Sequence, residues 1–267
     1  MPNRYSFDEL NTLSDGKLIE LLRQFHIDRN GGKEPAPRKR RSMDYREFFG
    51  DMYLDPDEKE KRIAMAEELA RVLLMLFVVL AYNGGIGNGL TYSDVYKNVE
   101  ERSFSVIENY ILPDGGGYKP VNLSPQSRKA LEDSIKNYIA RQTRYVVDNT
   151  VDNIGDEYYT SEDRAVGIAE NQVNGVANDS EMFEAFDSGF THKTWITMHD
   201  NHVRDTHQDV DGVTIPINEP FQVGDSEMLF PGDDSLGAGA EELINCRCTV
   251  EYSNEGEGEY DESGSHG

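Results

Sequence analysis

Apolar residues recur at helical spacing along most of the first 190 positions of this 267-residue chain, then switch to a shorter period. Leu10, Leu13, Leu18, Leu21, Leu22 and Phe25 mark one side of a short amphipathic helix within residues 1–30. Asp55-Pro56-Asp57-Glu58 opens a longer helix. The Asp caps free amides, Pro sits where its missing N–H costs nothing, and acids occupy the first turn. This helix is predicted to run to about Tyr82 and to stop at Asn83-Gly84-Gly85. Its second half, VLLMLFVVLAY over residues 72–82, is apolar on every side. Such a segment requires burial all round, in a core or a subunit contact. Gly84, Gly85, Gly87 and Gly89 then form a hinge. Three further helices are expected. One covers 91–112 and ends at Pro113-Asp114-Gly115. The next covers about 125–151, capped by Ser124, with Leu131, Ile135, Tyr138, Ile139, Thr143 and Val146 on one face. The last runs from Thr160 or Ser161 to about Phe186.

From Lys193 the pattern is that of strands. Thr194-Trp195-Ile196-Thr197-Met198 alternates polar and apolar residues, and a second short strand over 213–217 follows the Asp211-Gly212 turn. Residues 221–223 and 228–230 bracket Gly224-Asp225 as a further pair; 240–243 reads as a short helix and 248–252 as a closing strand. The expected fold class is therefore α+β. An N-terminal long-helix arm or bundle precedes a small C-terminal α+β domain and an acidic disordered tail. The boundaries are 1–50 for an arm with a basic linker, 51–190 for the helical region, 191–252 for the C-terminal domain and 253–267 for the tail.

Charge changes this picture in one respect. The formal net charge is −24, yet residues 1–50 carry ten Lys/Arg against eight Asp/Glu. From His199 onward only Arg204 and Arg247 oppose seventeen acids. A surface that acidic repels phosphate, so sequence-independent DNA binding by the C-terminal part is disfavoured. Arg38, Lys39, Arg40 and Arg41, set among Gly and Pro residues, read as a mobile basic linker and as the place where DNA contact is expected if it occurs. The opening MPNRYSFDELN lacks the apolar stretch of a secretory signal. The longest apolar run, eleven residues, falls short of the roughly 20 a helical membrane span needs, so no stable membrane insertion is expected. Cys246 and Cys248 are too close in sequence for an unstrained mutual disulfide.

Three stretches of the C-terminal unit stand out. These are residues 195–207 (WITMHDNHVRDTH); Asp211-Gly212 with Pro220-Phe221 and Pro231-Gly232-Asp233; and Asn245-Cys246-Arg247-Cys248. In order, they resemble the C-terminal domain of the Mu-F-like minor head (head morphogenesis) proteins of tailed bacteriophages. That family's pattern is roughly K-x-W-x-T, D-x-x-V-R-x-x-H, D-G, P-F, P-G-D and N-C-R-C. Lys193, Trp195, Thr197, Asp200, Val203, Arg204, His207, Asp211, Gly212, Pro220, Phe221, Pro231, Gly232, Asp233, Asn245, Cys246, Arg247 and Cys248 fit it. Each piece is weak alone, and their ordered conjunction is specific. The resemblance covers roughly residues 160–252, with Ile168-Ala169-Glu170-Asn171 standing where the family has A-R-T-E. Residues 1–120 lie outside it. The resemblance implies a structural protein, not an enzyme, present in few copies in the prohead. Its implied partners are the portal protein and capsid or scaffold proteins. Its implied location is the virion, at the head interior or portal vertex, after assembly in the host cytoplasm. Some family members enter the host with the DNA.

The side-chain chemistry admits two readings. His202, His207, Cys246 and Cys248 supply the donors of a tetrahedral zinc site. However, Cys-x-Cys is tighter than the usual spacing, and His202 falls outside the family pattern. The favoured expectation is no cofactor, with the cysteines as small core residues and His207 and Arg204 bonded to Asp200 or nearby acids. Trp195, the sole tryptophan, is expected to anchor the sheet's core, and Arg204 to form a structural ion pair. Asp211-Gly212 and Pro231-Gly232-Asp233 read as turns. The alternative function is a metal-dependent nuclease or hydrolase using the His/Cys cluster with His199-Asp200-Asn201-His202. Four adjacent residues do not supply the dispersed histidines and asparagine of an HNH-type nuclease, so the structural reading stands first.

Overall fold

The chain folds as helices followed by a small β-rich unit. In the computed structural model, which describes residues 4–34, 45–50, 52, 54–87, 89–112 and 123–254, the helices run as follows. They are α1 (Phe7–Leu10), α2 (Asp15–Arg29), α3 (Tyr45–Gly50), α4 (Pro56–Asn83), α5 (Tyr92–Ile111), α6 (Pro125–Asp152) and α7 (Glu162–Asp187), with a 3-10 turn at Glu157–Thr160. Then come β1 (His192–Ile196), α8 (Asp205–Gln208), β2 (Thr214–Pro216), β3 (Phe221–Val223), β4 (Ser226–Met228), α9 (Ala240–Leu243) and β5 (Thr249–Ser253). The class is α+β.

The sequence punctuates these helices as their caps require. Asp55 accepts the Glu58 amide at 2.9 Å, and at the far end of α4 Gly84 turns left-handed so that the Gly85 amide returns to the Leu80 carbonyl at 2.8 Å. Thr91 and Asp94 close a reciprocal capping box on α5, and Ser124 and Ser161 cap α6 and α7. The α4 segment from Val72 to Ala81 is buried without interruption, as an all-round apolar helix must be. Around it pack α1, α2, α3, α5, α6 and α7. Each fully buried Leu, Val or Phe contributes ~1.5–3 kcal/mol, which makes this helix the main driving element of the bundle. None of the described helices is long and apolar enough to cross a membrane.

Several local expectations are corrected. The single helix expected within residues 1–30 is two, because Asn11 ends α1 and Ser14 caps α2. The second hairpin strand begins at Ser226 instead of Met228. A two-residue Gly224-Asp225 turn brings Ser226 opposite Val223 and Met228 opposite Phe221. Strand β1 ends at Ile196, because the Thr197 amide is taken by the Asp211 carboxylate at 2.8 Å. The short helices α3 and α8 were not anticipated. The basic run at 38–41, the Gly-rich stretch after 112 and the acidic tail from 255 lie outside the described residues.

Helix α7 carries polar groups into the interior. Arg62 of α4, with no exposed surface, donates to Glu58 (3.0 Å), to the Asn174 carboxamide oxygen (2.8 Å) and to Glu181. Asp179, 6% exposed, accepts the Ser134 hydroxyl at 2.7 Å. Burial, opposed by that hydrogen bond and by Arg141 and reinforced by Asp233 and Asp234, pushes the Asp179 carboxyl up to about 7. The folded state therefore holds this proton more tightly than the unfolded chain, whose value is near 3.8. Both states are protonated below about pH 4, and the penalty grows as pH rises toward 7. Asp179→Asn is expected to add about 1–3 kcal/mol of stability near pH 8 and almost none near pH 4. Urea unfolding at the two pH values checks this; an equal or opposite effect at pH 8 contradicts it.

Candidate functional site

Three asparagines on one face of α7, Asn171, Asn174 and Asn178, join the bundle to the C-terminal unit. Their i, i+3, i+7 spacing aligns them toward the backbone of the closing segment. Asn171 accepts the Asn245 amide at 2.6 Å. Asn174 donates to the carbonyls of Cys246 (3.1 Å) and Cys248 (3.3 Å). Asn178 donates to the Pro231 carbonyl (2.8 Å) and to that of Cys248 (3.4 Å). These bonds satisfy backbone groups that would each cost ~1–3 kcal/mol if buried without partners.

The segment they hold sits on a three-stranded antiparallel sheet of order β2-β1-β5, in which Trp195 lies opposite Val250. Alternation along β1 turns Lys193 and Trp195 inward. Trp195 is wholly buried, edge-on to Phe221 (5.2 Å between centroids) and to His207 (5.5 Å). Val210, Val223, Met228, Cys246 and Cys248 complete this small core. The Lys193 ammonium donates to the Leu229 carbonyl at 2.7 Å and lies over the Phe221 ring. Desolvation, partly offset by Asp233 and Glu219, brings it down to about 8.

Trp195, Phe221, His207, Cys246 and Cys248 thus share one core; the remaining motif residues shape its loops. The Asp211 carboxylate accepts the Thr197 amide and the His199 ring (2.6 Å). Burial raises that carboxyl, but these hydrogen bonds outweigh it and hold it below the ordinary range. Gly212, left-handed, donates to the Trp195 carbonyl at 2.8 Å. Asp233 accepts the amides of Leu229 and Ser235, closing the turn that begins at Pro231. Asn245 adopts φ +59 as the chain enters the Cys-x-Cys segment.

His207 finds an acid as expected, whereas the pairings of Asp200 and Arg204 are corrected. Asp200 accepts from Arg247 (2.6 Å) and the His202 amide, not from His207 or Arg204. Arg204 donates to the Ile244 carbonyl, and the acid that His207 meets is Glu242 (3.0 Å). A carbonyl suits Arg204 because α8 places it beside the end of α9. His202, expected as a fourth metal ligand, does not join the group formed by His207, Cys246 and Cys248, whose ligand atoms all lie within 4.8 Å of one another. The proposed DNA-contacting residues 38–41 lie outside the described residues.

The three side chains of the cluster set one another's charge. The Cys248 thiol hydrogen-bonds to Cys246 and, with His207, drives Cys246 well below the ordinary thiol range despite burial. The hydrogen bond that Cys248 gives to Cys246, together with burial and the Cys246 charge, holds the Cys248 thiol well above that range. Burial pulls His207 down, but the Cys246 sulfur and Glu242 outweigh it and leave the imidazole raised. The arrangement can hold a thiolate beside an imidazolium, or a cation between the three donors.

Beside this core, a groove of about 760 Å³ opens between α6, α7 and the α9 segment. Tyr138, Tyr145, Tyr158, Tyr159, Leu243 and Ile244 line much of it. Tyr145, Tyr158 and Ile244 are exposed.

The sequence reading missed the asparagine face, Arg62, Glu242 and Gly175. Asparagine is a poor helix-interior residue, so three on one face were a readable signal of outward hydrogen bonding. Gly175 matters because the backbone of Gly232 passes against it. A Cβ on Gly232, at φ +90, would stand 2.9 Å from the Gly175 Cα, and one on Gly175 would stand 3.1 Å from the Gly232 carbonyl. Gly232→Ala therefore suffers both backbone strain and a backbone clash. It is expected to cost about 2–4 kcal/mol in urea unfolding; wild-type stability would contradict this close approach.

The family model for phage Mu protein F like proteins matches residues 78–251. No curated protein and no solved structure gives a significant match. The family match reaches well upstream of residue 160, taking in the last turn of α4, all of α5 and α6, and the asparagine-bearing α7. It continues through the motif core to β5. A match over more than half the sequence, enclosing both the small core and the helix that supports it, places this chain in the phage Mu protein F like family.

Proposed function

We propose that this protein is a minor head (head morphogenesis) protein of a tailed phage, one that associates with the portal vertex and assists prohead assembly or DNA delivery. The observation that carries the reading is the family match over residues 78–251. It supports the reading of a phage head protein, and the role proposed is structural. Its proposed partners are the portal protein and capsid or scaffold proteins, and its place is the phage head interior or portal vertex, reached from the host cytoplasm during assembly.

Two physical features support protein partners over nucleic acid for the folded part. The C-terminal half is strongly acidic, which disfavours a phosphate backbone. Exposed Tyr145, Tyr158 and Ile244 around a concave groove have the mixed aromatic and apolar character of protein contacts. Contact with packaged DNA, in this reading, falls to Arg38, Lys39, Arg40 and Arg41. The test is co-expression with the portal protein of the same phage, followed by pull-down from low to high salt. Co-purification is the expected result. Absence of association at every salt concentration overturns the portal assignment.

A further inference from the structure

The geometry points to a zinc site: we propose that His207 Nδ1, Cys246 Sγ and Cys248 Sγ bind one Zn²⁺ ion, with Glu242 fixing the histidine from behind. The backbone explains how so tight a spacing serves. Cys246 and Cys248 lie just ahead of β5, both thiols are buried, and both sulfurs stand within 4.8 Å of the His207 ring nitrogen. Asn174 and Asn178 hold the carbonyls of the two cysteines, which fixes where the sulfurs stand. Helix α8 brings His207 against them from the opposite side.

The distances are those of a coordination shell. His207 Nδ1 lies 3.4 Å from Cys248 Sγ and 3.7 Å from Cys246 Sγ. Zinc–nitrogen and zinc–sulfur bonds of about 2.0–2.1 and 2.3 Å in a tetrahedron place N and S roughly 3.5 Å apart. The tautomer fits as well. Nε2 faces the buried Glu242 carboxylate at 3.0 Å, so it carries the proton and Nδ1 presents its lone pair to the sulfurs. A carboxylate behind a ligating imidazole is the usual outer arrangement of zinc histidines. Thr206 orients that carboxylate with a hydrogen bond of 2.8 Å.

A further group is explained by the ion. The indole N–H of Trp195 is buried without a hydrogen-bond partner among the described residues, in the same small core as Cys248. A zinc-bound thiolate is a far better acceptor for it than a neutral thiol. The donor set of two thiolates and one imidazole selects zinc over hard cations. For the fourth position, a cavity of about 10 Å³ borders Cys246, Cys248 and His207, with His202 on its wall. That is room for one water, which we assign as the fourth ligand.

The test uses the full chain, purified without a polyhistidine tag from zinc-supplemented medium. Elemental analysis is expected to find about one zinc per chain. Adding zinc to the chelator-treated protein should raise Tm by about 5 °C or more. Replacing zinc by cobalt(II) should give thiolate charge-transfer absorption and the intense visible bands of a tetrahedral ion. Glu242→Gln should weaken zinc binding about 10–100-fold while the fold, followed by circular dichroism, is kept. His202→Ala should retain the ion. Metal-free protein whose Tm ignores zinc and whose cobalt spectrum lacks thiolate bands overturns the site, and loss of zinc in His202→Ala overturns the three-ligand assignment. The cobalt spectrum is read on the unmodified chain, so the test does not depend on whether a variant folds.

Discussion

The carboxamide of Asn174 ties three parts of the chain together. Its oxygen accepts from Arg62 on α4, and its nitrogen donates to the Cys246 and Cys248 carbonyls. Arg62 is a buried cation, expensive to desolvate, and is tolerable only because Glu58, Glu181 and Asn174 surround it. The Cys-x-Cys carbonyls face the helix in place of a strand partner, and an amide from α7 is what they find. Everything in the C-terminal core depends on this junction. With the closing segment fixed, the two thiols meet His207, Trp195 finds its place between His207 and Phe221, and the Pro231 turn can settle onto Gly175.

The junction also explains why a helix belongs with a motif that begins at Lys193. A sheet of three short strands buries too little apolar surface to stand alone, and its own core holds few large side chains. Helix α7 supplies the missing wall, and α4 stabilises α7. The bundle thereby positions chemistry that it does not itself contain. An ion shared by His207, Cys246 and Cys248 would reinforce the same core from its other side, linking α8 to the lead-in of β5.

Much of this was legible in the residues. Helix ends followed from caps and glycines because those are local matters: Asp55-Pro56 and Ser161 begin helices, and Gly84 ends one. The all-round apolar stretch of α4 announced its own burial. The β-like period after Lys193 placed the strands, although hairpin register hung on the choice of a two-residue turn. Less visible were contacts between distant segments. Nothing near Arg204 reveals that it will meet the Ile244 carbonyl, nor anything near Asp200 that Arg247 will be its partner. The two arginines are equally available in a sequence, and only the path of the chain through α8 and α9 separates them. Glu242 passed as one surface acid among many, yet it is buried behind His207.

The central claim is that the helical bundle and the C-terminal unit form one cooperative body through α7. The sole tryptophan, wholly buried in the C-terminal core, reports on that unit, and far-ultraviolet circular dichroism reports on the helices. Urea unfolding followed by both signals tests the claim most directly. The account predicts a single transition with coincident midpoints. A tryptophan signal lost at clearly lower urea than the helical signal would contradict it.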